Sequence, residues 1–245
     1  MEQAGRKTKK YAYAALLTAG LFAVQFLFSR LGWLFAGLFD YSSFDKEEVF
    51  ARLAVHHIIQ MLLALLLIFI LVKTKRVGEF KLAPKYDAKG IRYTLIFCAA
   101  LTAYYLVSYI IGSFTGTIGT FSHELTPVNV TGYLGFQLLL SGPSEEILFR
   151  SLPITLLLSG LVPDSKKDNT KAVVIAAVLF GIAHIDILHL SFDPFQVCYA
   201  FVLGLFYGYT FIKTKSVIYP MTMHSMSNVI SVGGCYLYMF LSAGR

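Results

Sequence analysis

The sequence predicts an all-α protein, a polytopic transmembrane helical bundle with about seven spans, or eight if one further helix lies within residues 29–50. Of its 245 residues, 56% are hydrophobic and only 14% are charged, and the mean hydropathy of +0.65 is high for a soluble domain. Several apolar runs approach or exceed the roughly 18 residues that cross a bilayer as a helix. These runs are continuous and do not alternate with a period of two, which argues against a strand barrel.

Seven apolar runs give the predicted spans. They cover residues 11–29, 53–72, 93–112, 131–158 with a break, 172–189, 195–212 and 217–241. The aromatic segment LGWLFAGLF, residues 31–39, is predicted to lie flat at the interface. The basic stretch before the first run is typical of a signal peptide, but no small-residue cleavage site follows, so we keep this run as a helix. We treat residues 1–245 as a single integral membrane domain with a motif-bearing core at about 131–241.

The positions of lysine and arginine orient the chain. The formal net charge is +7, and the basic residues stand at the ends of apolar runs, which indicates membrane anchoring and argues against nucleic-acid binding. With the N-terminus inside, 16 of the 21 Lys and Arg fall on the cytoplasmic side, within residues 6–10, 73–92, 166–171 and 213–215. Four fall outside, and Arg150 lies within the membrane. This bias predicts a multi-pass protein of the cell membrane with a cytoplasmic N-terminus.

The fourth span contains SGPSEEILFR, which begins at Ser141 and sets three ionisable side chains among Leu, Ile and Phe. Charged groups inside a bilayer cost roughly 2.5 to 3.5 kcal/mol each, so they indicate function and need partners. Pro143 is predicted to kink the span or to restart a helix with Ser141 near its cap. Glu146 and Arg150 are four residues apart, share a face and are predicted to pair. Glu145 points about 100° away and lacks that partner, so it is the better candidate for a general base.

Two further stretches place histidines in predicted spans. FGIAH puts Phe180 and His184 four residues apart in the fifth span, so the ring and the imidazole share a face directed at the bundle interior. HSMSN puts His224 and Asn228 at the same spacing in the last span, where they offer two donors to one point. Two neutral donors suit an oxyanion better than a metal ion, which asparagine binds poorly. Either stretch alone is also explained by hydrogen bonding between helices.

Other polar residues are predicted to be solvated, because they stand near the outer ends of spans. They are His56, His57, Asp186, His189 and Asp193. The three cysteines lie in apolar runs, are too few for a disulfide framework and are expected only to pack.

Taken in chain order, EEILFR, FGIAH and HSMSN resemble the EExxxR, FxxxH and HxxxN motifs of the CPBP family, the CAAX-protease and bacteriocin-processing membrane endopeptidases. Each motif is short, but their order, their spacing and their positions on three predicted helices make the resemblance specific. It covers residues 141 to 228, and the first three spans match only as hydrophobic helices. Ser151 stands where the family commonly has glycine, which bears on helix packing more than on the chemistry.

The resemblance implies an intramembrane endopeptidase of the glutamate type, which hydrolyses a peptide bond in a membrane-associated peptide or protein without a cofactor. Glu145 would activate a water molecule, and His184 would orient this water and help to deprotonate it. His224 and Asn228 would hold the developing oxyanion. The residues themselves support the same roles, because an unpaired buried carboxylate is a suitable general base and donors placed where charge develops stabilise the transition state.

The resemblance also implies that Glu146 and Arg150 support the geometry of the site. By the predicted topology, His184 and His224 lie roughly 18 and 12 Å from the cytoplasmic ends of their spans at helical rise. We therefore expect the site to open toward the cytoplasmic half of the bilayer. Prenylated CAAX proteins, peptide pheromones and bacteriocin leaders all suit such a site, and the short chain looks bacterial, which makes a prenylated substrate less expected.

Three alternatives stay open. A zinc protease would use Glu145, His184 and His224 as ligands, although the sequence has no HExxH and leaves Asn228 without a role in a zinc shell. A non-catalytic immunity or regulatory protein would keep the fold and use the polar pocket for binding. A proton-coupled transporter would also place Glu, His and Arg within the membrane, but the sequence shows no convincing inverted repeat.

Overall fold

The structure, a computed structural model, describes residues 2–74, 77–160 and 166–242. Seven long helices follow one another in this part of the chain: α1, Glu2–Ala36; α2, Ala51–Lys73; α3, Ala88–Thr115; α4, residues 127–160; α5, Lys166–Ile182; α6, Pro194–Thr214; and α7, Ile218–Ser242. The described residues contain no strand, and the all-α prediction is confirmed for them. The basic residues Lys75, Arg76 and Arg245, which entered the orientation argument, lie outside the described ranges.

The seven helices match the seven predicted spans in order and approximate position. Four of them are long and apolar enough to cross a membrane, at Tyr11–Ala36, Ala51–Lys73, Ala88–Thr115 and Pro194–Thr214. The other three, α4, α5 and α7, contain or adjoin the three polar motifs. The predicted multi-pass membrane bundle is therefore confirmed, with the number of spans approximate.

The first span is longer than predicted, and the prediction that residues 31–39 lie flat is wrong. Helix α1 continues to Ala36, and the Gly37 N–H still donates to the Trp33 carbonyl at 3.0 Å. The Trp33 ring stacks on His56 of α2 with 4.3 Å between ring centroids. The aromatic residues thus pack one helix on the next, and the described residues between α1 and α2 contain no additional helix.

Polar side chains fix where several helices begin. Asp45 is fully buried before α2, and its carboxylate accepts hydrogen bonds from three backbone N–H groups, those of Val49, Phe50 and Ala51, at 2.7 to 2.9 Å. These N–H groups have no partner within the helix, so the carboxylate satisfies them and fixes the loop that leads into α2. Three other helices begin with a side-chain cap: Asp87 for α3, Thr126 for α4 and Asp193 for α6.

Helix α4 is continuous, and the prediction of a break at Pro143 is wrong. Two π-helical turns, Gln137–Ser141 and Ile147–Ser151, flank the short α-helical segment Gly142–Glu146. Ser141 is not a cap; its backbone is helical, with φ −57° and ψ −59°. The wider turn before Pro143 accommodates the ring and the missing N–H, which would otherwise kink a regular α-helix.

Helix α4 is central, and its middle packs against α2 and α7. Gly142 allows the closest approach to α7, because a Cβ atom at this position would stand 2.5 Å from the Met221 carbonyl oxygen. The side chains of α4 that follow are buried, including Leu148, Leu152 and Ile154 with no exposed surface. The charged residues of the first motif therefore project into the interior of the bundle.

Candidate active site

Glu146 and Arg150 form the predicted ion pair at the centre of the bundle. Both side chains are fully buried, and the Arg150 Nε is 3.2 Å from Glu146 Oε2, a charge contact without hydrogen-bond alignment. The guanidinium also lies over the rings of Phe180 and Tyr207, 4.2 and 5.3 Å from their centroids. Since the negative faces of the two rings attract the cation, they add to the stabilisation of a charge that has left water.

Glu146 has a second function that the sequence did not suggest. Its Oε1 is 2.8 Å from Nδ1 of His224. Because Glu146 is paired with Arg150 and accepts hydrogen bonds, Nδ1 of His224 carries the hydrogen. The ion pair therefore fixes the orientation of this imidazole as well as neutralising its own charges.

Glu145 lies on a different face and makes no ion pair with Arg150, as predicted. Its two oxygens instead face two histidines: Oε2 is 3.5 Å from Nε2 of His224, and Oε1 is 3.8 Å from Nε2 of His57. The side chain keeps 19% of its surface exposed, whereas Glu146 keeps none. The two adjacent glutamates thus occupy different environments, one sealed and one facing a cavity.

His184 lies beyond the end of α5, whereas the sequence predicted a position deep in a span. The helix ends at Ile182, and the His184 Nδ1 donates a hydrogen bond to the Phe180 carbonyl at 2.8 Å. A carbonyl only accepts, so this bond assigns the hydrogen to Nδ1 and leaves a lone pair on Nε2. The imidazole packs edge-on against the Phe180 ring, 4.9 Å between centroids, and lines the same cavity as Glu145.

His224 and Asn228 lie on one face of α7, but their donors do not point at a common empty position. The Asn228 amide nitrogen donates to Gln137 Oε1 at 2.8 Å and to Ser141 Oγ at 2.7 Å. Both partners belong to the first π-helical turn of α4, so Asn228 joins α7 to this turn. A substrate oxygen would have to replace one of these bonds to receive the Asn228 N–H.

For His57, the sequence predicted the wrong environment. It was predicted to be solvated with His56, but the side chains of both are buried. His57 faces Glu145 from α2, and its Nδ1 is 2.7 Å from Ser144 Oγ. A histidine pair inside a largely apolar run was the sequence signal for a buried position of His57. The spacing along α2 does not show which helix these side chains face.

A cavity of about 860 Å³ connects these residues. Among the side chains that line it are His57, Glu145, His184, His224 and Asn228. It is the shared space into which the predicted catalytic residues project, and Gln137 and Ser141 of α4 line it as well.

The cavity extends to the end of the bundle opposite the lysine-rich helix ends. Its lining includes four loop residues that follow the end of α3, namely Thr117, Ile118, Gly119 and Phe121, whereas Lys89 lies at the start of α3. On the lysine-rich side, buried Arg150 and Tyr207 close the bundle. The prediction that the site opens toward the lysine-rich side is therefore wrong, because counting residues along a span gives depth but does not show which end is plugged.

Two of the three loop residues after α5 that were predicted to be solvated form a small polar cluster. Asp186 and His189 have 45% and 78% of their side-chain surface exposed, and the His189 Nδ1 is 2.7 Å from an Asp186 carboxylate oxygen. This hydrogen bond lowers the pKa of the Asp186 carboxyl. The third, Asp193, is exposed as the cap of α6, so the prediction is confirmed for these residues.

Within the described residues, no group of three His, Cys, Asp or Glu side chains is arranged so that it could hold a metal ion. The imidazoles around Glu145 each use Nδ1 for a protein hydrogen bond.

Residues 127–230 match a family model described as "Type II CAAX prenyl endopeptidase Rce1-like". This segment carries all three polar motifs and the four catalytic candidates, whereas His57 lies outside it. Together with the fold and the site, this match indicates a similarity to membrane-embedded proteases of the CAAX type. This segment, which is less than half of the chain, is therefore similar to the CPBP family of CAAX-protease-like proteins. The comparison with curated proteins found no match, and neither did the comparison with solved structures.

Proposed function

We propose that the protein is an intramembrane endopeptidase in which Glu145 activates water for attack on a peptide bond. The observation that carries the proposal is the position of Glu145: its carboxylate faces imidazoles and borders a large cavity inside a membrane bundle. Two features support it further, namely the match of residues 127–230 to a protease family and the polar lining of that cavity. Its substrate is a membrane-associated peptide or protein that reaches the cavity within the bilayer.

In the proposed reaction, a water molecule lies between Glu145 and Nε2 of His184. Because the hydrogen on His184 is at Nδ1, Nε2 accepts a hydrogen bond from the water and orients it. Glu145 takes the proton as the water oxygen attacks the carbonyl carbon. The C–N bond then breaks, and the same proton passes to the leaving amine, which balances the reaction.

The negative charge that develops on the carbonyl oxygen needs donors. We propose that His224 and Asn228 supply them, as the motif resemblance implies. His224 donates from Nε2 when both ring nitrogens carry a hydrogen, and Glu146 holds the ring through Nδ1. Asn228 donates after the substrate oxygen replaces Gln137 or Ser141. The loss of one such donor costs about 3 to 4 kcal/mol in acyl-transfer enzymes.

Membrane proteins from the source cells provide the test of this function. Purified protein and its Glu145→Ala variant are each incubated with such a membrane fraction, and the new protein termini are identified by mass spectrometry. Termini that appear with the wild type and not with Glu145→Ala are the expected result. Glu79→Ala is the matched control, because the side chain of Glu79 is 68% exposed and pairs with nearby Lys81, away from the cavity.

The same experiment separates the rival functions. A Glu145→Ala variant that inserts correctly and generates the same termini contradicts the role of Glu145. A variant that generates no termini but keeps the full cellular function favours a binding role. Activity that strong chelators abolish and only zinc restores contradicts the metal-free form of the proposal.

A further inference from the structure

We propose that His57 is a positioning residue for Glu145, a role that rests on the proposed function. It holds one carboxylate oxygen in place while His224 faces the other. His57 lies on α2, outside the segment 127–230 that matches the protease family, and it belongs to none of the three motifs.

The hydrogen bonds of His57 determine which of its nitrogens faces the carboxylate. The Ser144 hydroxyl has one hydrogen, which it donates to the Ser141 carbonyl at 3.0 Å. The Ser144 oxygen is therefore the acceptor in its 2.7 Å contact with the His57 Nδ1, and Nδ1 carries a hydrogen. Nε2 is left to face Glu145 Oε1, at 3.8 Å.

The packing around His57 fixes the ring in this orientation. The side chain is 8% exposed in the interior of the bundle, and the ring meets Phe136 edge-on at 5.0 Å between centroids and His56 at 5.2 Å. Ser144, which anchors Nδ1, directly precedes Glu145 in the chain and is fully buried. His57 is therefore attached to the same turn of α4 that presents the carboxylate.

The charges of the site give His57 its role. Glu145 and Glu146 bring two carboxylates into the interior, and Arg150 is in ion-pair contact with Glu146 alone. A buried carboxylate needs a compensating partner. Two imidazoles flank Glu145, one at each oxygen, and confine the carboxylate plane between α2 and α7. Holding this plane directs the carboxylate toward the water that it activates.

The experiment compares His57 variants in cleavage of a fluorogenic peptide that carries a site found by terminus mapping. His57→Phe keeps a packed ring but has no nitrogen. We expect kcat to fall about 10- to 100-fold, as for a small misplacement of a catalytic group, with KM changed less than about threefold. His189→Phe, on the exposed cluster, is the matched control and is expected to keep the wild-type kcat.

Two further variants distinguish positioning from packing. His57→Gln retains an amide N–H that reaches toward Glu145, and we expect it to keep more activity than His57→Phe. His57→Ala opens space for free imidazole, and added imidazole is expected to restore part of kcat, which a purely structural role would not produce.

The outcomes separate this inference from the proposed function. A wild type that cleaves, a Glu145→Ala variant that does not, and a His57→Phe variant with wild-type kcat together overturn the role of His57 alone. The same holds if His57→Gln is no better than His57→Phe and imidazole restores nothing to His57→Ala. A wild type no more active than Glu145→Ala overturns the proposed function and this inference with it.

Discussion

Glu145 and Glu146 are neighbours in sequence, yet the bundle gives them different surroundings. Glu146 is sealed between Arg150 and the Nδ1 of His224, whereas Glu145 borders the cavity with no arginine in contact. Glu146, with its charge fixed by its partners, holds the geometry of the site. Glu145, whose carboxylate borders the cavity, is free to react. This division is the residue-scale basis of the proposed chemistry.

The buried ion pair leads to a prediction about stability. Arg150→Met leaves the carboxylate of Glu146 buried without its cation, and we expect a loss of about 3 to 5 kcal/mol in the free energy of unfolding. The double variant Glu146→Gln, Arg150→Met removes the orphaned charge, and glutamine still accepts from His224. It should recover much of this loss. Thermal unfolding of each purified variant in detergent measures the effect, and a double variant no more stable than Arg150→Met would contradict it.

At the residue scale the sequence predicted most of the site. Helical spacing alone paired Glu146 with Arg150 and separated them from Glu145, because positions four apart share a face. It did not predict the contact of His57 with Glu145, since this depends on how α2 packs against α4. Nor did it predict that Asn228 donates to two residues of α4, because spacing within α7 contains no information about α4.

At the scale of elements, helix α4 is the central feature of the molecule. Its two π-helical turns flank the five residues that carry both glutamates. π-Helical turns often occur at functional sites, since they re-aim side chains without breaking the helix. Gly142 and Pro143 indicated that the helix is irregular here. The same two residues fit either a break in the helix or a wider π-helical turn, so the sequence does not distinguish the two. Only the packing of α7 against this stretch distinguishes them.

The close contact between α4 and α7 gives an element-scale prediction. Gly142→Ala introduces a Cβ that would stand 2.5 Å from the Met221 carbonyl oxygen, so the two helices must separate. We expect a loss of about 1 to 3 kcal/mol, as in other overpacked cores, together with reduced activity because His224 moves with α7. Thermal unfolding and the peptide assay measure the two effects.

Gly135→Ala is the matched control for this prediction. Gly135 lies on the same helix, and a Cβ there would meet nothing within 4 Å. It should not lower the unfolding midpoint, since alanine is the better helix former, and it should leave the activity at the wild-type value. Equal effects of the two substitutions would show that helix propensity, and not the approach of α7, determines the result.

At the scale of the whole molecule, the position of the cavity and the distribution of charge combine into one expectation. The lysine-rich helix ends lie at one end of the bundle, and the cavity extends to the other. If the lysine-rich end is cytoplasmic, as the positive-inside bias predicts, the cavity faces the outer leaflet. Hydropathy and charge were sufficient to predict the bundle and its helices, but not which end of the packed bundle is closed.

Cysteine labelling in intact cells tests this orientation. In a variant without the three native cysteines, Leu190→Cys and Tyr86→Cys introduce single thiols on opposite ends of the bundle, at positions 83% and 81% exposed. A membrane-impermeant maleimide is expected to label position 190 and not position 86. Labelling of position 86 alone would reverse the orientation and direct the cavity to the cytoplasm.

The most direct test of the central claim is the kcat of Glu145→Gln against wild type, measured on the same peptide with a strong chelator present. The substitution keeps the size of the side chain and removes only its ability to take a proton from water. We expect the chelator to leave the wild-type kcat undiminished and Glu145→Gln to lower kcat by about 10²- to 10⁴-fold. Turnover by Glu145→Gln at the wild-type rate, or a wild type that the chelator silences and zinc alone restores, would contradict it.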